Sequence, residues 1–321
     1  MTWDKKHLIE IDPFSREDIE NIFSFSKLLE PYSGIDKTKK RKQTNMCQGD
    51  LMVLWFEKQT EKSTRTFGSF ESAISRLGGD KKDFDELSSS IGKGESIKDT
   101  SRILSGQCDL IVDRHTDPQH VYTVSINSMV PVINAGNGSD QHPTQTLLDI
   151  SFMYVLFDTV DGLTIAMLGD LKYGRTVHSL MKGLEKFKNV NIVGISPPGL
   201  EMSEKYIGKN YEGRTIDMKN LDKELSDIGP KVVYATRIQN ERLPEGEDPA
   251  KFIYKINDAT LKKLPKYTRI MHPLPRILEI DPEIDKDSRA VYFQQADYGV
   301  PVRMAIITTL LGYEDEVLKL R

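Results

Sequence analysis

The stretch LMVLWFEKQTEKSTRTFGSFESAISRLGG, residues 51–79, carries two hydrophobic periods one after the other. It begins with a continuous apolar run, which is typical of a strand buried on both faces. Between residues 63 and 77 the apolar residues instead recur at helical spacing, and Gly78-Gly79 follows as a C-terminal stop. The stretch therefore predicts a buried strand followed directly by a helix, the repeating unit of an α/β protein.

The same alternation of apolar runs and helical segments continues along the chain. The further strand-like runs are residues 109–113, 130–134, 163–168, 190–195, 232–234 and 269–271, and the further helical segments are residues 144–157, 176–187 and 301–311. Parallel strands joined in this way bind their ligands at the carboxyl edge of the sheet. The chain is therefore predicted to have an α/β fold.

A chain of 321 residues exceeds the size at which a single core usually stops growing, about 250 to 300 residues. We therefore predict two lobes, each a mostly parallel sheet flanked by helices, with an active-site cleft between them. The first lobe is placed at residues 1–143 and the second at residues 144–297. The C-terminal helix, residues 298–321, is expected to return to the first lobe.

The composition is that of a globular protein. Hydrophobic residues make up 38% of the chain and charged residues 29%, and the net charge of −4 gives no general attraction to nucleic acid or to an anionic membrane. Cys47 and Cys108 indicate neither a disulfide framework nor a metal site, and no apolar stretch is long enough to cross a bilayer. We expect a cytoplasmic protein, in which the basic run at residues 37–42 is a solvated turn.

The motif Ser63-Thr64-Arg65-Thr66 opens the helix of the first stretch. The first turn of a helix has unpaired backbone N–H groups and the positive end of the dipole, to which this motif adds three hydroxyls and one guanidinium. Such a set of donors suits a phosphate dianion. The motif alone also fits an ordinary helix cap with a surface arginine, so the phosphate interpretation depends on the neighbouring motifs.

Three further motifs lie where the first lobe would present its ligands. Arg114 ends a strand, and His142 and Gln145 share the first turn of the helix that follows the glycine-rich turn at residues 136–139. The segment at residues 88–96 is polar and glycine-bearing, which is typical of a mobile loop that closes over a ligand. Each feature alone also fits a structural role: a paired surface arginine, a buried structural histidine or a plain connection.

In the second lobe, arginines again follow the carboxyl ends of strands. Arg175 lies between a strand and a helix, and Arg237 and Gln239 follow another strand. A guanidinium binds a carboxylate through two parallel hydrogen bonds, although each arginine alone also fits a surface ion pair. The segment His272-Pro273-Leu274-Pro275-Arg276 predicts a rigid loop whose backbone carbonyls can face a ligand amine.

Several common chemistries lack their motifs. The sequence contains no GxGxxG after the first strand, no GxxxxGK[ST], no GxSxG and no metal-ligand cluster. Dinucleotide, nucleoside triphosphate, acyl-serine and zinc chemistry therefore lose support. What remains is a cleft that binds anions in both lobes, with neither metal nor cofactor expected.

In order and spacing, the motifs at residues 63–66, 142–145, 169–180 and 272–276 resemble the aspartate/ornithine carbamoyltransferase family over essentially the whole chain. The loop that begins with His272-Pro273 is similar to the aspartate branch, because an ornithine enzyme would be expected to carry a cysteine there. The resemblance implies transfer of the carbamoyl group of carbamoyl phosphate to L-aspartate, in pyrimidine biosynthesis. Transfer to another amine such as ornithine, and a non-catalytic anion-binding homologue, remain the alternatives.

The resemblance also implies roles for the candidate residues. Carbamoyl phosphate would be bound by Ser63, Thr64, Arg65, Thr66, Ser89, Lys93, Arg114, His142 and Gln145, and aspartate by Lys93, Arg175, Arg237, Gln239, Pro273 and Leu274. Ser89 and Lys93 would come from a neighbouring subunit, which implies a homotrimer with shared active sites, and a regulatory chain is a further candidate partner. The expected catalytic residues are Arg65, which stabilises the departing phosphate, and Thr66, Arg114 and His142, which donate to the oxyanion of a tetrahedral intermediate.

Two positions depart from the family pattern. Gln59-Thr60-Glu61-Lys62 stands where an aromatic pair and an acidic-proline step are usual, and Phe67 stands where a second arginine is common. The contacting residues of the phosphate motif are retained. We therefore expect the departures to change affinity or the subunit interface rather than the type of reaction.

Overall fold

The computed structural model describes residues 6–57, 64–243 and 248–321. Contacts between residues divide the chain into two compact units. The first unit comprises Met1–Leu156 with Asp297–Arg321, and the second unit comprises Phe157–Ala296. Each unit contains one parallel sheet flanked by helices, so the predicted α/β fold is confirmed.

The strands of each unit pair in parallel. The first unit contains β1 (Leu51–Phe56), β2 (Asp80–Phe84), β3 (Leu110–His115) and β4 (Val132–Asn137), and the second contains β5 (Thr164–Leu168), β6 (Asn191–Ser196), β7 (Tyr211–Thr215), β8 (Val232–Ala235) and β9 (Arg269–Met271). Their orders are β2-β1-β3-β4 and β7-β6-β5-β8-β9. The carboxyl ends of the strands therefore meet at one edge of each sheet.

The helices of the described residues flank and connect these strands. They are α1 (Arg16–Ser33), α2 (Thr64–Leu77), α3 (Ile97–Ser105), α4 (His120–Asn127), α5 (Pro143–Phe157), α6 (Arg175–Leu184), α7 (Leu221–Ile228), α8 (Asp258–Lys263), α9 (Tyr292–Leu310) and α10 (Glu314–Leu318). Among them, none combines the length and the apolar character that a membrane span requires.

The stretch at residues 51–79 folds as its pattern predicts. β1 is buried from Met52 onwards, and α2 buries Phe70, Ile74 and Leu77 along one face. Gly78 then takes a φ of +84°, and a Cβ atom there would lie 2.8 Å from the Cα of Asn45. Both the left-handed backbone and the close approach require glycine, which ends the helix at this position.

The long helix α5 packs with the first unit although it ends at the division between the units. Tyr154 stacks on Phe23 of α1 with ring centroids 4.7 Å apart, and Phe152 lies 5.9 Å from the ring of Tyr298 in α9. The compact units therefore divide after α5, whereas the sequence placed the lobe boundary at its start, after residue 143. A helix that buries most of its residues cannot be assigned to one lobe by its pattern alone.

The helix predicted at residues 301–311 is longer than expected. α9 begins at Tyr292 and contains Pro301 in its interior. Proline removes a backbone donor and usually ends a helix, but here residues 301–310 are all buried and packing maintains the helix through it. Residues 297–321 group with the first unit, as the expected return of the C-terminal helix requires.

Candidate active site

The candidate site of the first unit centres on the Arg114 side chain at the end of β3. Its Nη1 lies 3.0 Å from the carbonyl oxygen of Ala135, 3.4 Å from Oγ1 of Thr66 and 3.5 Å from Nε2 of His142. Arg114, Thr66 and His142 are only 9%, 6% and 4% exposed. The structure therefore brings these three predicted catalytic residues into one buried cluster.

The start of α2 supplies backbone N–H groups at this cluster. The side chains of Thr64 and Arg65 are exposed to solvent, whereas Thr66 is buried. Ser63, the first residue of the predicted phosphate motif, lies outside the described residues. The described part of the motif thus places two solvent-facing side chains and one buried hydroxyl at a helix N-terminus, an arrangement that suits an anion.

The surroundings of His142 assign a role to each ring nitrogen. A guanidinium can only donate, so Nε2, which faces Arg114, is the accepting nitrogen. Nδ1 then carries the proton and donates to Oγ1 of Thr144 at 3.3 Å. In this arrangement His142 and Arg114 form a linked pair rather than two independent donors.

Gln145 is oriented by a buried carboxylate one helical turn later. Its Nε2 donates to Oδ1 of Asp149 at 2.8 Å, and Asp149 is fully buried. The buried Arg303 of α9 interacts with that carboxylate; burial lowers the pKa of Arg303 to about 10, although the charge of Asp149 opposes the shift. Because the amide nitrogen is held by Asp149, the amide oxygen of Gln145 is directed away from it, as suits an acceptor for a ligand N–H group.

Ser89 and Lys93 lie in a folded loop after β2. The Ser89 hydroxyl donates to the carbonyl of Glu86 at 2.6 Å, and Lys93 is an exposed residue at the end of the short 3₁₀ helix Ile91–Lys93. Ile91 packs against the apolar cluster that contains Trp55. Ile91 is thus an apolar anchor within this otherwise polar loop.

In the second unit, Asp170 ties together the two loops that carry predicted aspartate ligands. Its carboxylate accepts the backbone N–H of Tyr173 at 2.9 Å and of Gln239 at 3.2 Å. Arg242 strengthens the connection by donating to the carbonyl of Tyr173 at 2.8 Å. Burial raises the pKa of Asp170, although these backbone donors oppose the shift. The half-buried Arg175 begins α6 directly after the first of these loops.

Arg237 lies on the second of these loops, next to Gln239, and is half-buried. Its Nη1 donates to the carbonyl of Ile238 at 3.3 Å. The residue also lines a cavity of about 150 Å³ whose other walls include Tyr254 and Ile277. The hydrogen bonds to the Asp170 carboxylate therefore place Arg237, Gln239 and the start of α6 in one region of the second unit.

The loop from His272 to Arg276 is rigid, as its prolines predict. The His272 N–H donates to Oε1 of Gln295 at 2.8 Å, and Nδ1 of His272 accepts the Leu274 N–H at 2.7 Å. Nε2 of the ring then carries the proton and donates to Glu279 at 2.8 Å. Leu274 has a φ of 55°, a left-handed conformation that this network holds in place.

Two family models match the chain. The carbamoyl-P binding domain of aspartate/ornithine carbamoyltransferase matches residues 6–154, and the Asp/Orn binding domain of the same family matches residues 161–310. The chain belongs to the aspartate/ornithine carbamoyltransferase family. The resemblance seen in the motifs is thereby confirmed.

Several relatives that match over nearly the full length carry aspartate in their names. The aspartate carbamoyltransferase catalytic subunit of Archaeoglobus fulgidus is 43% identical over 309 residues, which cover 95% of this chain and 99% of the relative. The structure of aspartate transcarbamoylase from Trypanosoma cruzi in complex with carbamoyl phosphate has a TM-score of 0.84 at 34% identity and covers 95% of this chain and 96% of its own. The catalytic subunit of M. jannaschii aspartate transcarbamoylase has a TM-score of 0.82 at 40% identity, with 96% and 98% covered.

One departure from the carbamoyltransferase pattern can be located. The ring of Phe67 packs edge-on against Phe56 with centroids 5.3 Å apart, and Nζ of Lys81 lies 5.4 Å from the Phe67 centroid. A cation from β2 therefore lies beside the position where a second arginine is common in the family. The other departure, Gln59-Thr60-Glu61-Lys62, lies outside the described residues.

The carboxylates that orient the ligand-facing groups, Asp149 and Asp170, were not among the residues predicted from the sequence. Asp149 stands four residues after Gln145 in a helix, the spacing at which two side chains meet, and this signal was available. Asp170 directly follows the apolar run of β5, where an open α/β sheet presents polar groups. Their action through Gln145 and through backbone N–H groups is visible only in the folded chain.

Proposed function

We propose that the chain transfers the carbamoyl group of carbamoyl phosphate to the amine of L-aspartate, giving N-carbamoyl-L-aspartate and phosphate in pyrimidine biosynthesis. The observation that carries the proposal is the buried cluster of Arg114, Thr66 and His142 beside the N-terminus of α2. This cluster combines donors for a carbonyl oxygen with a helix terminus for a phosphate. Family membership and the full-length similarity to aspartate enzymes support the choice of reaction.

Carbamoyl phosphate occupies the first unit in this proposal. Its phosphate binds at the N-terminus of α2, where Thr64, Arg65 and Thr66 lie, and Ser63 is a further proposed ligand. Arg65 neutralises the charge that grows as phosphate leaves. The exposed side chain of Arg65 is able to reach a ligand outside the buried cluster. Gln145, whose amide nitrogen is held by Asp149, accepts a hydrogen bond from the carbamoyl N–H group with its amide oxygen.

The reaction requires an uncharged aspartate amine that attacks the carbamoyl carbon. Negative charge develops on the carbonyl oxygen in the tetrahedral intermediate, and Thr66, Arg114 and His142 donate to it. His142 can donate through Nε2 only when the ring proton lies on that nitrogen. In the complex with substrate, the carbonyl oxygen therefore takes the place of Arg114 as the partner of Nε2. The departing phosphate takes the proton of the amine, and no covalent enzyme intermediate is needed.

Aspartate is bound by residues of the second unit. Arg175, Arg237 and Gln239 hold its two carboxylates, which suits planar guanidinium groups on loops joined by Asp170. The carbonyls of Pro273 and Leu274 lie near the amine, on a loop that the His272 network holds rigid. Carbamoyl phosphate binding is accordingly assigned to the first compact unit, Met1–Leu156 with Asp297–Arg321, and aspartate binding to the second, Phe157–Ala296. The helix α5, which carries Gln145, thus belongs to the carbamoyl phosphate-binding domain and not to the second lobe expected from the sequence, residues 144–297.

A neighbouring subunit completes each site in this proposal. Ser89 and Lys93 lie on an exposed loop and reach the carbamoyl phosphate of the adjacent subunit. The functional form in this proposal is therefore a homotrimer. Its proposed location is the cytoplasm. The chain acts as a catalytic subunit, the description given to its full-length relatives, and a regulatory chain is a candidate partner.

The deciding experiment is a steady-state assay of phosphate release by the full-length chain. Release should depend on both carbamoyl phosphate and L-aspartate, and chromatography should identify N-carbamoyl-L-aspartate as the product. Replacing aspartate by ornithine tests the other branch of the family, and citrulline formation at a comparable rate would contradict the proposal. Calorimetric binding of both substrates without turnover would indicate a non-catalytic homologue. Analytical ultracentrifugation of the same sample tests the trimer.

A further inference from the structure

A cluster of acidic and imidazole side chains lies on the face of the first sheet opposite Arg114. Successive residues of a strand point to opposite faces, so Asp113 and His115 face away from the side on which Arg114 meets His142. His120, at the start of α4, stacks on His115 with ring centroids 4.2 Å apart. Glu86, which follows β2, lies 3.5 Å from the His120 ring nitrogen Nε2.

The backbone of Glu86 organises the loop that carries Ser89 and Lys93. Its carbonyl accepts the N–H of Ser89 at 3.1 Å, the N–H of Gly92 at 3.2 Å and the Ser89 hydroxyl at 2.6 Å. A Cβ atom on Gly92 would lie 2.5 Å from the carbonyl oxygen of Leu87, so the loop packs closely on its own backbone. The position of Glu86 therefore sets the position of the loop.

The carboxylate of Glu86 is held by the sheet beneath the loop. The indole N–H of Trp55, a fully buried residue of β1, donates to its Oε1 at 2.5 Å. The ring of His120 is fixed on its other side because Nδ1 lies 3.0 Å and 3.2 Å from the two carboxylate oxygens of Asp113. A proton on Nδ1 makes that contact a hydrogen bond and leaves Nε2 directed at Glu86.

The ring of His120 lies between the sheet and the carboxylate of Glu86. Its Nε2 is buried, has no hydrogen-bond partner among the described residues, and lies 3.5 Å from Oε1 of Glu86. An N–H group at this position faces the carboxylate, whereas a lone pair would repel it. The indole of Trp55 and the ring of His120 therefore join Glu86 to the sheet.

The same geometry does not favour a metal ion at this cluster. The rings of His115 and His120 are nearly parallel, at 7°, so the lone pairs of their nitrogens do not converge on one point. Nδ1 of His115 also accepts the N–H of Asp117 at 2.9 Å, so Nε2 carries the proton of the neutral ring. That nitrogen faces Glu86 at 3.8 Å and Glu57 at 3.9 Å, as a donor rather than as a ligand.

We propose that Glu86 is a positioning residue for the loop of Ser89 and Lys93, held in place by the indole of Trp55 and the ring of His120. This inference rests on the proposed function, because that function gives the loop its role at the neighbouring site. His120 is itself held by Asp113 and stacked on His115. Loss of either contact to Glu86 should therefore loosen the loop and lower turnover.

The test compares Glu86→Gln and His120→Gln with the wild-type chain and with Asp83→Asn, an exposed carboxylate of the same strand-and-loop segment. We expect each cluster variant to lower kcat about tenfold and to leave the KM for aspartate within about twofold, while Asp83→Asn preserves both. Hydrogen exchange of residues 87–94 should be faster in the cluster variants.

The outcomes separate this inference from the proposed function. A wild-type chain that forms no carbamoyl-aspartate contradicts the proposed function, and hydrogen exchange still tests the link to the loop. Wild-type turnover with unchanged exchange of residues 87–94 in both variants would overturn the positioning role alone. Stoichiometric Zn²⁺ binding that disappears in His120→Gln would also overturn it, by assigning the cluster to a metal. Circular dichroism identifies a variant that fails to fold, and the other variant then decides.

Discussion

The two units hold their arginines in different ways. In the first unit, the Arg114 guanidinium is buried and contacts the side chains of Thr66 and His142 directly. In the second unit, Arg175 and Arg237 are half-buried, and the Asp170 carboxylate joins their loops through backbone N–H groups. Fixed, buried donors stabilise charge that develops during a reaction, whereas loops can adjust to a substrate before it reacts. The first unit should therefore govern turnover and the second should govern saturation by aspartate.

The largest expected effect comes from Arg65→Ala. The loss of a charge that stabilises the leaving phosphate should lower kcat by about two to three orders of magnitude, as the loss of one transition-state donor typically does. Steady-state phosphate release measures the effect, and circular dichroism should show a retained fold. Arg102→Ala removes an exposed arginine of α3 and should leave turnover within about twofold. Near-normal turnover in Arg65→Ala would contradict the phosphate assignment.

Arg237→Ala tests the role of the second unit in binding aspartate. Loss of a charge-assisted hydrogen bond to a carboxylate should raise the KM for aspartate roughly tenfold to a hundredfold, while carbamoyl phosphate binding is largely spared. Calorimetry with carbamoyl phosphate and initial rates against aspartate separate the two effects. The matched control is Arg214→Ala in β7, whose guanidinium pairs with Glu212 and Glu224. An unchanged aspartate response in Arg237→Ala would show that this arginine does not bind the substrate.

Asp170→Asn tests whether the loops of the second unit that carry Arg175 and Arg237 need to be held together to bind aspartate. The amide keeps the shape of the side chain but replaces one accepting oxygen by a donor, so one of the two backbone bonds is lost. We expect the KM for aspartate to rise about three- to tenfold, because one neutral hydrogen bond contributes about 0.5 to 1.5 kcal/mol. Asp222→Asn, which removes an ion pair to Lys263 in the same unit, is the control. A fall in kcat without a change in the KM for aspartate would contradict the assignment of turnover to the first unit and of aspartate saturation to the second.

The smallest expected effect concerns pH and the His272 loop. Burial alone would raise the pKa of Glu279, but the hydrogen bond from His272, together with backbone N–H donors, outweighs burial and holds that pKa below 4.5. Its contribution to stability is therefore fully present above pH 4.5 and is lost as the pH falls through the lower folded value.

Glu279→Gln should accordingly lower the free energy of unfolding at neutral pH. Each kcal/mol of that loss should lower Tm by about 2 to 4 °C. Calorimetric scans at a series of pH values should show the difference from wild type shrinking below pH 4.5. Glu283→Gln, a nearby glutamate at the start of a 3₁₀ helix, is the control. A difference that grows towards acid pH would contradict the sign of the shift.

The sequence predicted the buried strands well and missed the two exposed ones, β2 and β7. Runs such as Leu51–Phe56 are buried on both faces, so their composition alone identifies them. β2 and β7 lie at the edges of their sheets and consist largely of exposed residues, DKKDF and YEGRT, which no hydrophobic period distinguishes from a loop. Their identification requires the neighbouring strand.

The candidate site divides in a similar way. Arg65, Arg114 and His142 stand directly at the junctions of strands and helices, so residue type and position together indicated an anion site. Asp149, Asp170 and Glu86 instead act on Gln145 and on the loops that carry the other candidate residues. Such contacts depend on the fold itself, and for this reason a single sequence indicates the ligand-facing groups before it indicates their supports.

The discontinuity of the first unit has a consequence for synthesis of the chain. Residues 297–321 belong to the first unit but are made after the whole of the second unit. The buried side chains of Val302, Ile306 and Ile307 therefore reach the first unit last. A nascent chain on the ribosome completes its second unit before its first, and the surface that α9 covers stays open to chaperones until then.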